Sequence, residues 1–355
     1  MTSQARTGVL LINLGTPDSP NPQDVKKYLT EFLTDGRVIP LPWIKRQLLV
    51  RRIIVPRRYK QSAASYATIW TEEGSPLMVY GQRVKKALQV TLGDDYCVEL
   101  AMRYQNPSIE VALERLAAAD ISNLIVVPLF PQYASATTGS AHQKVMELIK
   151  EWLVIPDVSF INSYPTYGPM IDAFCKRGRQ YDVDRYDHIL FSFHGLPESQ
   201  LRKANKHEYC LTKAGCCKTL CRKNASCYSA QCYATAQAIA EGLNLSSESY
   251  SISFQSRLGK EPWIRPYTLD TIQKRQKAGD KKLLVFCPAF VCDCLETIEE
   301  IAEQYAEEFM KDGGECFDLV EGLNDDPSWI SALAQLVRER ETAVATTQPA
   351  ISLTP

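Results

Sequence analysis

Histidine, grouped carboxylates and grouped cysteines are the residue types in this chain that can move protons or hold a metal ion. His194 ends the apolar run HILFSF and is followed at once by Gly195, Leu196 and Pro197. An imidazole titrates near neutral pH, so it can take a proton or bind a cation. The ordinary alternative is a histidine satisfied by hydrogen bonds in a sharp turn. After the run KLLVFCPAFVCD come Glu296, Glu300, Glu303 and Glu307. Their i, i+4, i+7, i+11 spacing places them on one face of an α-helix, with Leu295, Ile298, Ala302 and Tyr305 near another. Glu303 and Glu307 read as a solvated face. Glu296 and Glu300 lie in the first turns, where a carboxylate can bind a hard cation or simply complement the helix dipole.

The chain has 12 cysteines, and Cys210, Cys216, Cys217, Cys221, Cys227 and Cys232 crowd into one short stretch. Such density favours metal binding over a set of idle thiols, and thiolates suit zinc or iron–sulfur. The spacing C-x₅-C-C-x₃-C-x₅-C-x₄-C lacks a C-x₂-C knuckle, which weakens a structural zinc reading. Four thiolates are what a [2Fe–2S] cluster needs. A further group is basic: between Gly36 and Thr71 there are many Arg and Lys residues and no Asp or Glu. Within it, Trp43, Ile44, Leu48, Leu49, Ile53 and Ile54 alternate with arginines. That composition fits a helix at a membrane surface or a lip that meets an anionic ligand, the bland alternative being an amphipathic helix packed on its own domain.

The elements that must position these residues are strands and helices in alternation. GVLLINLGTP, NLIVVPLFPQY, HILFSFHGLPES and KLLVFCPAFVCD are apolar, β-branched runs expected to be buried parallel strands, and YSISFQSR is a further strand. NPSIEVALERLAAAD and CYATAQAIAEGL carry helical patterns. The fold class is therefore α/β, an open sheet of the doubly wound kind. In such sheets the working residues follow the carboxyl ends of the strands, which selects Leu14–Pro17, Tyr133–Gly139, His194–Pro197, Gln255–Trp263 and Cys292–Glu300. G-x-G-x-x-G and G-x-x-x-x-G-K-[ST] are both missing, so a nucleotide site is not expected. The two halves show no sequence repeat. DPSWISALAQLVRERE reads as an amphipathic helix capped by Asp325 or Asp326, and residues 343–355 as a poorly ordered tail.

Composition narrows the field. At 355 residues the chain is long enough for two modest domains, and 45% apolar with 23% charged residues is ordinary for a globular protein. A net charge of −1 gives no global attraction for nucleic acid. GVLLINL is too short for a signal peptide core, and no run approaches the ~18 apolar residues of a membrane span. A cytoplasmic place follows as the expectation, and with it reduced cysteines rather than disulfides.

Taken in order, LINLGTP, EEGSP, MRYQNPSIE, PLFPQYASATTGS, SFHGLP, FQSRLG with EPWIRPYT, and DCLETIEEI resemble the ferrochelatase family over nearly the whole chain. The resemblance implies two Rossmann-like domains, residues 1–165 and 166–325, with a porphyrin cleft between them and a helix at 326–342 packing back on the first domain. It implies insertion of Fe²⁺ into a porphyrin to make haem. His194 would accept pyrrole protons or receive the metal, Glu296 would be its acidic partner, and Glu300 would lie further along a proton or metal path. Arg103, Tyr104 and Trp263 would line the cleft. Leu14, Tyr66 and Ser75 would approach the ring or its propionates, with Arg57, Arg58 and Lys60 as propionate partners.

The departure from the family is a cysteine-rich insertion at about 205–228. Some bacterial relatives hold a [2Fe–2S] cluster on internal cysteines, and this chain is similar. The expected ligands are Cys210, Cys217, Cys221 and Cys227, with Cys216 or Cys232 as substitutes, and zinc is the alternative metal. Protoporphyrin IX is preferred over coproporphyrin III as substrate because the lip around Trp43 is apolar. The same lip suggests peripheral contact with the inner membrane and with the oxidase that supplies the porphyrin.

Overall fold

The structure is a computed structural model that describes residues 6–205, 207–212, 215–259 and 261–345. Continuous apolar runs form strands that are covered on both faces. The first half holds β1 (Arg6–Gly15), β2 (Tyr96–Tyr104), β3 (Ile121–Pro128) and β4 (Asp157–Phe160) in the order β2-β1-β3-β4. The second holds β5 (His188–His194), β6 (Tyr250–Gln255), β7 (Lys282–Phe286) and β8 (Cys316–Leu319) in the equivalent order β6-β5-β7-β8. Every pairing is parallel. In both sheets the chain crosses from one side of the first strand to the other. A crevice therefore opens beyond the carboxyl ends of β1 and β3, and of β5 and β7.

Side chains on one face of β1, Val9 and Leu11, share an apolar core with Phe191 and Phe286 of the second half and with Trp329. The opposite faces carry separate cores, one around Leu10 and Ile12 and one around Leu190 and Val285. The helix Pro327–Ala345 locks the halves together. It carries Trp329 and packs on both Pro76–Leu92 and Gly168–Gly178. Its far end is held to the first half, where Thr7 and Tyr96 both donate to the Glu341 carboxylate. Asp326 is the residue at its start that accepts the Ser328 amide, at 2.8 Å. The helix runs through Ala345, past the start of the expected tail; the rest of that tail, from 346, lies outside the described residues.

The sequence shows no repeat, but the fold does. Leu14-Gly15-Thr16-Pro17 at the end of β1 matches His194-Gly195-Leu196-Pro197 at the end of β5. Gly15 is paired with Tyr104 at the end of β2, and the Gly195 amide donates to Gln255 at the end of β6. Each second strand is followed by a residue of positive φ, Gln105 or Ser256, and by a cis X-Pro bond, Asn106–Pro107 or Arg265–Pro266. The carbonyls of Pro107 and Pro266 accept the amides of Met102 and Phe254 at 2.7 and 2.8 Å. Beyond the third strand each half has a π-helical stretch, Ser135–Gly139 and Ile298–Tyr305.

The second π-helical stretch changes the expected carboxylate face. A π-turn carries more residues than an α-turn, so an α-helical wheel drawn across Glu296–Glu307 slips out of register. Ile301 is fully buried where the α-helical reading places Ala302, which is exposed instead. Glu303 and Glu307 are exposed, as a solvated face requires.

Candidate active site

β5 delivers His194 to the crevice of the second half. The residue is half-buried. Its Nδ1 lies 2.6 Å from the Gly195 carbonyl. A carbonyl only accepts, so Nδ1 is the donor in this contact, and the neutral form of the ring has its lone pair on Nε2. The ring is flanked by Trp263 and Phe290, with centroids 6.2 and 6.4 Å away. Gly195 permits this arrangement. A Cβ there would meet the Gln255 carbonyl at 2.8 Å and the Trp263 ring at 3.1 Å. Behind the histidine, the Tyr228 hydroxyl donates to the His194 carbonyl at 2.8 Å.

Gln255, fully buried at the end of β6, connects this histidine to the carboxylates. Its backbone pairs with β5 at His194. Its side-chain amide donates to the Glu296 carbonyl at 2.8 Å and to the Glu300 carboxylate at 3.2 Å. Its oxygen accepts the Ser192 hydroxyl at 2.7 Å. Glu300 also accepts the amide and hydroxyl of Ser256 and the Tyr305 hydroxyl. With both oxygens occupied, Glu300 is held in one place. Glu296 is half-buried. Burial, reinforced by the Glu296 charge, pushes Tyr28 and Tyr66 well above the ordinary phenol range.

The first half contributes the opposing wall. Leu14 and Tyr66 share an apolar cluster with Leu295 and Ile298, the residues flanking Glu296. Ser75 is buried and bonded to Thr16 at 2.8 Å. Tyr104 has no exposed surface and makes no cleft wall; its hydroxyl donates to Asp35 at 2.9 Å. Arg103 pairs with the same carboxylate at 2.8 Å, and Ser140 completes the group. Burial alone would raise the Asp35 pKa, but hydrogen bonds from Ser140 and the Arg37 amide, with the Arg103 charge, outweigh it and hold the carboxyl below its ordinary value. Arg57, Arg58 and Lys60 are exposed on Val55–Ile69, the helix that also carries Tyr66.

A family model for ferrochelatase matches residues 6–341. The chain belongs to the ferrochelatase family. It is 44% identical over 335 residues to a ferrochelatase of Legionella pneumophila strain Lens, covering 94% of this chain and 99% of that one. A ferrochelatase of Bdellovibrio bacteriovorus is 43% identical over 336 residues, again with 94% and 99% covered. Among solved structures, SirB from Bacillus subtilis with Fe³⁺ superposes with a TM-score of 0.52 at 10% identity, covering 96% and 98% of the two chains. That likeness concerns the fold, the two-domain α/β arrangement of chelatases. As a ferrochelatase the protein is a metal–porphyrin lyase, with iron and a porphyrin as substrates.

In this ferrochelatase the inserted cysteines form a compact loop. All are free thiols. Cys216 and Cys217 sulfurs are 3.6 Å apart. The nearby Cys227 thiol, together with burial, pushes the Cys217 thiol far up; burial raises Cys210 and Cys216. Cys221 is exposed at the rim, and Cys232 is wholly buried in the main core against Tyr228. Asn224 folds the loop. Its amide donates to the Cys216 and Thr219 carbonyls at 3.0 and 2.9 Å, and its oxygen accepts the Cys221 amide at 2.6 Å. The donor set suits a thiolate-held group, although no three or more such side chains among the described residues close around a single ion.

Sequence reasoning did not single out the side chains of Gln255, Ser256, Tyr28 or Asp35, and it set Tyr305 on a different face from Glu300. Gln255 and Ser256 fell inside a strand-end segment, which was the available signal. Tyr28 and Asp35 lie on or beside a helix of the first half, and nothing local to them points at the second.

Proposed function

We propose that this ferrochelatase inserts Fe²⁺ into protoporphyrin IX in preference to coproporphyrin III, with His194 as the base that takes the pyrrole protons. The supporting observation is the contact of His194 Nδ1 with the Gly195 carbonyl at 2.6 Å. The Nδ1–H is committed to the Gly195 carbonyl, which leaves Nε2 to accept a proton. A free porphyrin holds two pyrrole N–H protons, and iron enters only when the ring buckles and they depart. Binding energy from the faces of the ring can drive that distortion. Trp263 and Phe290 supply rigid aromatic surface beside the imidazole. Glu296 is the acidic partner, free to pass on a proton or meet the cation, and Glu300 anchors the helix start next to it. Arg57, Arg58 and Lys60 are suited to propionates because they are exposed near Tyr66. Arg103 and Tyr104 act one step back, by fixing Asp35.

Anaerobic Fe²⁺ insertion, followed by absorbance with each porphyrin, tests the reading. Turnover with protoporphyrin IX that disappears in His194→Ala is the expected result. Equal or faster turnover with coproporphyrin III would overturn the preference, and an active His194→Ala enzyme would overturn the role of the histidine.

The lip supports a second element of the reading, contact with an anionic membrane surface at the inner membrane, where a membrane-bound oxidase could hand over porphyrin. Trp43 and Ile44 are 66% and 64% exposed on Trp43–Leu49, and Leu48 and Ile53 are exposed too. They are accompanied by exposed Lys45, Arg51 and Arg52. No described helix is long and apolar enough to cross a membrane. We also propose that the cysteine loop holds a [2Fe–2S] cluster, with Cys210, Cys217 and Cys227 as ligands and Cys221 or Cys216 as the fourth. Cys232 is disfavoured by its burial in the core. Bound there, the cluster would tie the loop together, since binding energy is also folding energy.

A further inference from the structure

The helix Tyr228–Gly242 follows the cysteine loop, and its first turns reach both halves of the molecule. Tyr228, Gln231 and Thr235 recur at i, i+3 and i+7, so they share one face. All three are buried. The Tyr228 hydroxyl donates to the His194 carbonyl of the second half at 2.8 Å. One turn on, the Gln231 side-chain oxygen accepts the Tyr133 amide of the first half at 2.7 Å. A further turn along, the Thr235 hydroxyl accepts the side-chain amide of Gln132, also of the first half, at 2.9 Å.

These bonds are directional. Thr235 gives its own proton to the Pro165 carbonyl at 2.7 Å. The Gln231 side-chain amide donates to the Ala225 carbonyl at 2.6 Å and to the Ser163 hydroxyl at 3.3 Å. A backbone amide only donates and a carbonyl only accepts, so the Gln231 side chain fits in one orientation. Apolar packing has no such direction, whereas hydrogen bonds fix which atoms meet. The place of the bonds matters as well. The helix Pro327–Ala345 also joins the halves, but its far end is bonded to Thr7 and Tyr96, at the amino ends of β1 and β2. His194 and the segment Gln132–Tyr133 lie at or beyond the carboxyl ends of β5 and β3, where the crevice opens.

We propose that Tyr228 and Thr235 are positioning residues for metal insertion, which hold His194 and the facing first-half segment in register across the crevice from one helix face. For Tyr228 the inference rests on the reading of His194 as the base. A porphyrin gripped between two halves meets that base only as accurately as the halves are aligned, and a misplacement of about 1 Å can cost roughly 10²-fold in rate. Tyr228 acts on the main chain of His194, so its loss should be felt after the ring is bound, in kcat. Thr235 acts on the spacing of the two walls, so its loss should be felt in how the ring is held, in KM.

Steady-state Fe²⁺ insertion by the full chain tests this, with the porphyrin that the wild-type enzyme turns over, well below the melting temperature. Tyr228→Phe and Thr235→Val keep the shape of the side chain and remove the hydroxyl; Thr235→Ser keeps the hydroxyl. Tyr228→Phe is expected to lower kcat about fivefold, the scale of one lost hydrogen bond, with the porphyrin KM unchanged. Thr235→Val should raise the porphyrin KM by a similar factor and leave kcat nearly unchanged, and Thr235→Ser should restore most of that loss. A merely structural role would lower the melting temperature of both isosteric variants and leave kcat and KM alone, and that result overturns the proposal. So does a Thr235→Ser enzyme as impaired as the valine variant. His194→Ala separates the two levels of the argument. If it turns over normally, the reading of His194 fails and the role of Tyr228 fails with it. If it is inactive while Tyr228→Phe is normal, the base stands and the positioning role of Tyr228 is lost.

Discussion

The side-chain amide of Gln255 donates to the main-chain carbonyl of Glu296 at 2.8 Å, so the strand that pairs with His194 is bolted to the helix start that carries the acidic residues. Gln255 is 2% exposed, and Ser192 and Glu300 share the same side chain. Leucine has a similar volume but no polar atoms, so Gln255→Leu takes one partner each from the Glu296 carbonyl, the Glu300 carboxylate and the Ser192 hydroxyl, of which Glu300 keeps Ser256 and Tyr305 and Ser192 keeps Thr268. A typical intramolecular hydrogen bond contributes about 1 kcal/mol net. A lower denaturation midpoint and a lower kcat are expected together, measurable by urea titration and by iron insertion. An unaltered kcat would show that the two strand ends keep their relative placement without this residue.

Gly195 makes a steric prediction. A methyl group there would sit 2.8 Å from a main-chain oxygen and 3.1 Å from the Trp263 ring, and the backbone oxygen cannot swing aside. Gly195→Ala should therefore displace the turn after His194, with activity falling by an order of magnitude or more in the manner of a roughly 1 Å misplacement of a reacting group. Trp263 fluorescence should shift as well. A fully active Gly195→Ala enzyme would contradict the geometry.

Two buried histidines predict loss of stability in acid. His142 and His188 each have one ring nitrogen without a protein partner, Nε2 and Nδ1 respectively. Burial pushes both down to about 4, with Arg37 adding to the effect on His142 and Arg275 on His188. In the unfolded chain they titrate near 6.5. Between those values the unfolded chain binds the extra protons. Their contribution to stability is thus complete above about 6.5 and is lost as pH falls towards 4. The melting temperature should drop across that window, and His142→Phe should shallow the drop, because the His142 ring already packs, tilted, against Phe160. A pH slope identical in the variant would remove His142 from this account.

The exposed lip predicts salt-sensitive binding to anionic vesicles. Trp43→Ser with Ile44→Ser should weaken co-sedimentation with vesicles containing phosphatidylserine, and raising the salt should weaken what remains. Wild-type protein that stays in the supernatant at low salt would rule out the surface role.

Asn224 predicts how the cysteine loop is held. Asn224→Ala removes three hydrogen bonds to the loop backbone. Protein prepared anaerobically should then carry less iron and sulfide per chain and show weaker visible absorbance. Iron content equal to the wild type would mean that the thiolates alone shape the loop.

Much was legible in the amino-acid order because it depends on neighbours in the chain. Apolar runs such as HILFSF must be strands buried on both faces, and the strand-end rule then places His194, Gln255 and Cys292–Glu300 at one crevice. The helix at Ile109–Ala118 was readable from its period, and the structure adds its Ser108 cap. Local order could not reveal the π-helical stretch at Ile298–Tyr305, which moved Ile301 inward in place of Ala302, because its register is decided by packing. Nor could it separate Glu296 from Glu300, or show Tyr104 turning away from the cleft to hold Asp35. The difference lies in donors from β6 and the following turn for one pair, and in groups about seventy residues away for the other. By itself the sequence determined which residue types reach the strand ends. Tertiary structure decided which of them are immobilised and which are left free to react, because a side chain's freedom depends on partners that the chain brings together only by folding.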